Sequence, residues 1–276
     1  MSATLLELRN VYKIFGRDSK SVRAAHESSK KGIGRQDILD STHCTVAVRD
    51  VSFNIIEGEI FVIMGLSGSG KSTLVRHFNR LIEPTSGQLL FRGKDILKLS
   101  AAEMRSVRRH NIGMVFQSFA LLPHKTVLEN IVFGRLLRGD SKAESIADAQ
   151  KWIDGRIGLR GYGDKFPDEL SGGMRQRVGL ARALVSNPDV LLMDEAFSAL
   201  DPLIRSDLQD LLLQMQSELK KTIIFITHDI DEAMKLGSRI AIMKDGEVVQ
   251  IGTPEQIRNN PSSDYVRRFF NKKEAV

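Results

Sequence analysis

The sequence contains a single cysteine, Cys44, among its 276 residues. No disulfide can form within the chain, and there is no Cys-x-x-Cys metal or redox motif. We therefore expect Cys44 to be buried or inert. The chain also lacks an apolar run of about eighteen residues, and its N-terminal residues do not have the basic-then-apolar order of a secretory signal. These absences predict a cytoplasmic protein that reaches membranes only through partners.

Motifs for metal and nucleic-acid binding are also missing. The six histidines form no His-x-x-x-His or Cys/His cluster with ligand spacing, which argues against a transition-metal site. The formal net charge of +6 could indicate nucleic acid, and Arg105, Arg108 and Arg109 do cluster. No aromatic residues interleave with them, so we favour a solvated basic face and expect no nucleic-acid partner.

Apolar runs alternate with helical patterns along the chain, which predicts an α/β fold. Three runs have the length and composition of strands buried on both faces: residues 60–64, 190–193 and 222–226. Helical periodicity occurs in residues 101–109, 127–137 and 142–153. We expect one domain, in which a helical subdomain at about residues 100–180 is inserted between core segments at about 1–99 and 181–276.

Two further segments have their own patterns. Asp201 and Pro202 supply an N-cap and a first helical residue, after which leucine and methionine recur at helical spacing up to Lys220. We expect that stripe to pack in the core. Residues 16–45 are polar and basic without a clear period, and they predict a surface excursion with one short helix around residues 35–39.

The first apolar run leads directly into a phosphate-binding loop, GLSGSGKST. Its glycines allow a tight turn with inward-pointing N–H groups, and the helix that follows adds its positive N-terminal end. Lys71 is expected to reach the β- and γ-phosphates, and Ser72 to offer its hydroxyl to Mg²⁺. The predicted nucleotide-binding residues of this loop are Gly65, Leu66, Ser67, Gly68, Ser69, Gly70, Lys71, Ser72 and Thr73.

The second apolar run ends in two consecutive carboxylates, Asp194 and Glu195. A hard cation needs oxygen ligands, so Asp194 is expected at the metal edge. Glu195, one residue further, can orient or deprotonate an attacking water.

Residues 170–176, LSGGMRQ, closely resemble the signature motif of ATP-binding cassette (ABC) proteins. Ser171 can cap the following helix, while Gly172 and Gly173 leave its N-terminus bare for a phosphate; a simple helix start is the alternative for an isolated Ser-Gly-Gly. Other positions match further motifs of that family, namely the A-loop aromatic, Q-loop glutamine, D-loop aspartate and H-loop histidine. They are Phe15, Gln117, Asp201 and His228.

The resemblance implies a P-loop NTPase (RecA-like) core with an N-terminal antiparallel β-subdomain and an inserted α-helical subdomain. It also implies ATP and Mg²⁺ as cofactors and a head-to-tail homodimer, in which residues 171–173 act in trans. Glu195 would be the catalytic base, His228 would hold the γ-phosphate, and Asp201 would link the two sites. Gln117 would sense the nucleotide and join Ser72 and Asp194 at the metal.

The adenine-stacking residue is ambiguous from the sequence. Phe15 matches the position of the A-loop aromatic, yet Tyr12 lies three residues earlier. We interpret Tyr12 as a residue on the face of a strand. Because any base can stack on an aromatic ring, Phe15 alone would not select ATP over GTP, although the absence of an Asn-Lys-x-Asp motif argues against a GTPase.

The residues around the phosphate loop, with LIEPTSG and MVFQSFALLPH, are similar to ATPase subunits of glycine betaine and proline betaine importers. That resemblance implies a permease, a periplasmic or lipid-anchored substrate-binding protein, and a peripheral location on the cytoplasmic face of the inner membrane. The ATPase would not contact the transported substrate, and choline, histidine or proline remain alternatives. An exporter or a non-transport ABC ATPase is a weaker alternative.

Two further expectations follow from that subfamily resemblance. Many of its members end in paired cystathionine-synthase-type (CBS) regulatory domains, for which we expect no room before Val276. Four apolar residues could contact the permease or equally belong to the core: Phe119, Leu121, Leu122 and Pro123.

Overall fold

The computed structural model describes residues 3–116, 118 and 120–271. The chain divides into two compact units, which we name unit 1 (Met1–Ser100 and Ile226–Val276) and unit 2 (Ala101–Phe225). No helix of the described residues is long and apolar enough to cross a bilayer.

The strands, in chain order, are β1 (Thr4–Phe15), β2 (Thr45–Ile56), β3 (Ile60–Gly65), β4 (Ser86–Phe91), β5 (Lys94–Asp95), β6 (Ile112–Phe116), β7 (Val190–Asp194), β8 (Thr222–Thr227), β9 (Arg239–Lys244) and β10 (Glu247–Gly252). The helices are α1 (Ser19–Lys30), α2 (Arg35–Thr42), α3 (Lys71–Phe78), α4 (Ala101–His110), α5 (Val127–Arg138), α6 (Lys142–Lys151), α7 (Gly172–Leu184), α8 (Pro202–Leu219), α9 (Ile230–Leu236), α10 (Pro254–Asn259) and α11 (Asp264–Asn271).

Unit 1 contains an antiparallel sheet with strand order β2-β1-β4-β5. The register pairs Phe15 with Thr45 and Leu6 with Phe91. Strands β10, β9 and β3 are neighbours in that order, with β3 parallel to β9 and β10 returning antiparallel. Every residue of β3 is buried, as its continuous apolar run predicts.

Unit 2 contains β6 and β7, which run parallel and pair Ile112 with Val190. All residues of β7 and β8 are buried, which confirms the apolar runs as strands. Helix α8 begins after the N-cap Asp201, whose side chain accepts from the Ile204 N–H at 3.1 Å. The stripe along this helix packs in the core as predicted: Leu208, Leu212 and Met215 are buried.

The predicted excursion contains two helices. Helix α2 confirms the short helix expected around residues 35–39, whereas α1 was not predicted. Asp18 caps α1 by accepting from the N–H groups of Lys20 and Ser21. An apolar cluster joins these helices to β1 and β2. Cys44 belongs to this cluster, and its burial confirms the expectation of a buried thiol. The cluster consists of Ile14, Val22, Ala25, Ile38, Cys44 and Val46. Its members lie between residues 14 and 46, and only Val22 and Ala25 belong to α1, which is too few to give a clear helical period.

Candidate nucleotide-binding site

The phosphate loop lies in unit 1 between the end of β3 and the start of α3. Gly70 caps α3 with a φ of +98°, in the left-handed region that favours glycine. A Cβ atom at Gly70 would lie 2.2 Å from the carbonyl oxygen of Ala47. Glycine is therefore required there for both its conformation and the close approach of β2.

Lys71 is buried in the first turn of α3. Its ammonium donates to the carbonyl oxygens of Gly65 at 2.8 Å and Leu66 at 3.1 Å. These bonds hold the positive charge within the loop, where it adds to the positive end of the helix. Leu66, Ser67 and Gly68 are exposed, while Ser72 and Thr73 are half-buried.

The phosphate loop is also held from the C-terminal part of unit 1. The Gly246 N–H, in the turn between β9 and β10, donates to the Ser69 carbonyl at 3.1 Å. The Tyr265 hydroxyl, on α11, donates to the Met243 carbonyl at 2.9 Å and accepts from the Leu66 N–H at 3.4 Å. Burial raises the pKa of Tyr265, so the hydroxyl keeps its proton for this role.

His228 follows β8 and is exposed in unit 1. Its turn is fixed by Thr227, whose hydroxyl donates to the buried Glu232 carboxylate at 2.5 Å and accepts from the Asp229 N–H at 2.9 Å. Asp229 in turn caps α9. The backbone that carries the imidazole is therefore fixed by the side chains of the preceding and following residues, Thr227 and Asp229. No sequence motif indicated these contacts.

Phe15 ends β1 and is 42% exposed, so its ring is accessible to a ligand. The Lys13 ammonium lies 4.8 Å from the centre of that ring. Tyr12 is buried in β1 and meets the His26 ring edge-on at 4.9 Å, as expected for a residue on the face of the strand.

The two predicted carboxylates lie in unit 2 at the end of β7. Asp194 is buried, and the half-buried Glu195 begins the following turn with a φ of +48°. Ser198 holds this turn, because both its hydroxyl and its N–H donate to the Glu195 carbonyl. The sequence predicted both carboxylates at the end of the strand but gave no indication of Ser198.

The signature and D-loop residues come together within unit 2. Ser171 caps α7 by accepting from the Met174 N–H at 3.3 Å, in the same way that Asp201 caps α8. A Cβ atom at Gly173 would lie 2.5 Å from the Ile204 side chain, and one at Gly172 would touch Leu200. The two glycines thus let the start of α7 approach α8, while Ser171 and Asp201 are exposed.

Gln117 and Phe119 lie outside the described residues. Near them, the Arg182 guanidinium donates to the Ala120 carbonyl at 2.8 Å, and burial lowers the pKa of Arg182. Leu121 and Leu122 are half-buried and Pro123 is exposed.

Asn130 organises the segment that follows and was missed by sequence reasoning. Its fully buried amide accepts from the Leu122 N–H and donates to three carbonyl oxygens. These are the oxygens of Leu122, Lys125 and Thr126. An asparagine inside an apolar helical run is the available sequence signal, because a buried amide requires partners.

The site residues are thus distributed over both units. Residues 65–73, Phe15 and His228 belong to unit 1, while Asp194, Glu195, residues 171–173 and Asp201 belong to unit 2. Among the described residues, no group of three or more His, Cys, Asp or Glu side chains could by itself hold a metal ion. The available oxygen donors are the Ser72 hydroxyl and the Asp194 carboxylate, whose chemistry suits Mg²⁺.

Comparison with known proteins gives consistent results. Residues 48–198 match the family described as ABC transporter. The chain is 58% identical over 271 residues to the glycine betaine/proline betaine transport system ATP-binding protein ProV of Escherichia coli (strain K12), covering 97% of this chain and 66% of that protein. It is 49% identical over 269 residues to the trimethylamine N-oxide transport system ATP-binding protein TmoW of Pelagibacter ubique, covering 98% of this chain and 77% of that one.

A solved structure supports the same fold. It is the dimeric post-hydrolysis state of the ATP-binding cassette MJ0796 bound to ADP and Pi, with a TM-score of 0.75 and 32% identity. The match covers 91% of this chain and 99% of that one. The chain spans about two thirds of the length of the betaine relatives, at 66% for ProV. The family match, these identities and the α/β architecture with its phosphate loop show that the chain belongs to the ABC transporter family, as an ATP-binding cassette.

Proposed function

We propose that this chain is the ATP-hydrolysing subunit of an importer for a betaine or a related quaternary amine. The observation that carries ATP binding is the phosphate loop, in which the Lys71 ammonium lies against the carbonyl oxygens of Gly65 and Leu66 at the start of α3. A polyphosphate is the ligand whose charge suits this ammonium and the positive N-terminus of α3.

Each remaining motif residue has a role in this proposal. Glu195 accepts a proton from the attacking water, and His228 donates to the γ-phosphate. Ser72 and Asp194, with Gln117 from outside the described residues, would hold Mg²⁺, and this ion would supply positive charge to the phosphates. Phe15 stacks on the adenine, for which its exposed ring is suited.

We place the complete site in a head-to-tail homodimer. Ser171, Gly172 and Gly173 would contact the nucleotide held by the phosphate loop of the second subunit, and Asp201 would connect the two sites. The exposed, capped start of α7 supports this role, because unpaired N–H groups at a helix N-terminus suit an anion. The dimeric form of the solved cassette with ADP and Pi supports the assembly.

The proposed cargo depends on the named relatives. ProV of Escherichia coli is a glycine betaine/proline betaine protein, and a 53% identical relative from Listeria monocytogenes, covering 96% of this chain and 66% of its own length, is a glycine betaine/carnitine protein. These cargoes share a quaternary ammonium group, and trimethylamine N-oxide of the TmoW protein is likewise a methylated amine. We therefore propose glycine betaine, proline betaine or choline as the substrate class.

The proposed partners are an integral membrane permease and a periplasmic or lipid-anchored substrate-binding protein, with this subunit on the cytoplasmic face of the inner membrane. Unit 2 offers a cavity of about 390 Å³ for a permease segment. Three arginines line it together with apolar side chains that include Met114 and Phe133. The arginines are Arg108, Arg109 and Arg182. Such a lining suits a short amphipathic segment with an acidic residue.

The test is uptake of labelled substrates by the transporter reconstituted with its permease and binding protein. We expect ATP-dependent uptake of glycine betaine, proline betaine or choline, and none with the Lys71→Ala subunit. Trimethylamine N-oxide, proline and histidine belong in the same panel. Exclusive uptake of proline or histidine would establish an amino-acid importer instead.

A second experiment separates import from other ABC functions. Purification of the tagged chain should bring down a permease and a binding protein. Stimulation of ATP hydrolysis by ribosomes or DNA, without such partners, would overturn the transport proposal.

A further inference from the structure

The Arg35 side chain on helix α2 of the excursion contacts the phosphate loop. Its guanidinium donates to the Gly68 carbonyl at 3.3 Å and forms an ion pair with Asp245 at 3.5 Å. Asp245 precedes Gly246, whose N–H holds the Ser69 carbonyl. Arg35 thus links the phosphate loop to the turn between β9 and β10. That turn also contacts the loop directly, through Gly246.

The peptide between Gly68 and Ser69 is held at both ends. Arg35 donates to its carbonyl oxygen, and its N–H donates to the Leu66 carbonyl at 3.2 Å. Gly68 has a φ of +78°, a conformation that glycine readily leaves. The C=O and N–H of a planar peptide point in opposite directions. A hydrogen-bond donor to the Gly68 carbonyl therefore also fixes the direction of the Ser69 N–H.

The position of Arg35 is set by the packing of the excursion. Ile38, one turn later on α2, is fully buried in the apolar cluster. Just before α2, the Ile33 carbonyl accepts from Arg49 of β2, and Arg49 also pairs with Glu247 at 3.4 Å. The segment from Ile33 to Ile38 is therefore anchored at both ends to strands of unit 1.

A cavity of about 780 Å³ lies between α2, the start of β2 and the turn between β9 and β10. Arg35 and Gln36 both line it. Gln36, however, donates to Asp40 on its own helix. These two neighbouring residues thus share an environment and differ in their contact with the phosphate loop.

We propose that Arg35 is a positioning residue for nucleotide binding, acting through the Gly68 carbonyl. This inference rests on the proposed function, since it requires ATP to bind at the phosphate loop. Arg35 fixes the orientation of the Gly68–Ser69 peptide within the phosphate loop, so its loss affects nucleotide affinity and leaves the chemical step intact. It extends the nucleotide site to a helix that precedes the matched family segment, residues 48–198.

The experiment compares full-length wild type with Arg35→Ala, Arg35→Lys and Gln36→Ala. We expect Arg35→Ala to raise the KM and Kd for MgATP by about 3- to 10-fold, as loss of one hydrogen bond of ordinary strength does, with kcat within about 2-fold. Arg35→Lys should restore part of the affinity, because it retains the charge on a shorter reach. Gln36→Ala should bind as wild type does.

The melting temperature without nucleotide is measured for each variant. Unchanged MgATP affinity in a folded Arg35→Ala, or an equal loss in Gln36→Ala, would overturn the proposal. If Arg35→Ala does not fold, wild-type affinity in a folded Arg35→Lys combined with Asp245→Asn would overturn it, since that pair weakens both contacts.

Lys71→Ala separates this inference from the proposed function. If wild type binds MgATP and Lys71→Ala does not, the phosphate-loop function stands and only the Arg35 comparison is at issue. If wild type and Lys71→Ala are equally unable to bind MgATP, both proposals fail together.

Discussion

The Ser198 hydroxyl donates to the carbonyl oxygen of Glu195 at 2.9 Å, and the Ser198 N–H donates to the same oxygen at 3.2 Å. Glu195 has a φ of +48°, a conformation that costs a residue other than glycine about 1–2 kcal/mol. The two bonds help to stabilise that conformation. Ser198 therefore supports the backbone that carries the proposed catalytic base.

Ser198→Ala should lower the kcat for ATP hydrolysis by about 3- to 10-fold, because one of two bonds on the Glu195 carbonyl is lost. The KM for ATP should stay within about 2-fold, since the substitution is in unit 2 and leaves the Lys71 contacts in place. Steady-state kinetics measure both. Ser198→Thr retains the hydroxyl and serves as the control, and an unchanged kcat in the alanine variant would contradict this role.

Glu195→Gln should lower the kcat by about 10²- to 10⁴-fold, since the amide cannot accept the proton of the attacking water. ATP should still bind, and the nucleotide-bound dimer should accumulate because turnover no longer dissociates it. Single-turnover hydrolysis and light scattering with ATP test both effects. Near-normal hydrolysis by this variant would exclude Glu195 as the base.

Tyr265→Phe should lower the free energy of unfolding by about 0.5–1.5 kcal/mol. The ring and its edge-on contact with Phe269 are retained, while the bonds to the Met243 carbonyl and the Leu66 N–H are lost. Denaturant titration measures the change. Tyr162→Phe is the control at an exposed tyrosine, and equal stability of all three proteins would show that the Tyr265 hydroxyl contributes nothing.

Asn130→Ala should destabilise the protein by about 1–3 kcal/mol, because buried polar groups around it lose their partner. Hydrogen exchange should become faster in residues 122–126, which its amide holds. Asn130→Asp keeps an acceptor for the Leu122 N–H and loses the donors to the three carbonyl oxygens. Its free energy of unfolding should therefore be at most intermediate between those of wild type and Asn130→Ala. Unaltered exchange in both variants would contradict the assignment.

His77 should make stability depend on pH. Burial lowers its pKa from 6.5 to about 4, and its Nδ1 lies 2.7 Å from the Ile82 carbonyl, to which the neutral ring donates. Between these two pKa values the unfolded chain binds more protons, so stability falls as the pH drops. At pH 5 this imidazole alone should cost about 2 kcal/mol relative to neutral pH.

His77→Asn keeps a donor for the Ile82 carbonyl and removes the titration. Its free energy of unfolding should therefore decline less than that of wild type between pH 7 and pH 5. His43→Asn, at an exposed position, is the control. Parallel pH curves for wild type and His77→Asn would refute the prediction.

The sequence predicted those parts of the fold whose signals are local. Continuous apolar runs identified β3, β7 and β8, and Asp201 with Pro202 marked the start of α8. Helix α1 has a local signal only in its N-cap Asp18, because its few apolar side chains are buried only when Ile14 of β1 and Val46 of β2 pack against them. The prediction therefore found α2 and missed α1.

The same distinction applies to the candidate site. The motif residues were predictable because glycine spacing, helix caps and paired carboxylates each carry chemistry over a few positions. The bond between Tyr265 and Leu66 spans 199 positions of the sequence, and that between Arg35 and Gly68 spans 33. Such contacts depend on the packing of unit 1, which no motif records.

The burial of Cys44 has a practical consequence. Its side chain has 0% exposure, and it is the one cysteine of the sequence. Thiol-reactive dyes should therefore not react with the native protein. In the variant Leu203→Cys, the new cysteine should be the sole site of labelling, because Leu203 is 74% exposed and lies two residues after Asp201. Fluorescence or spin labels placed there would report the approach of the two subunits of the proposed dimer, and Cys44 would not have to be removed first.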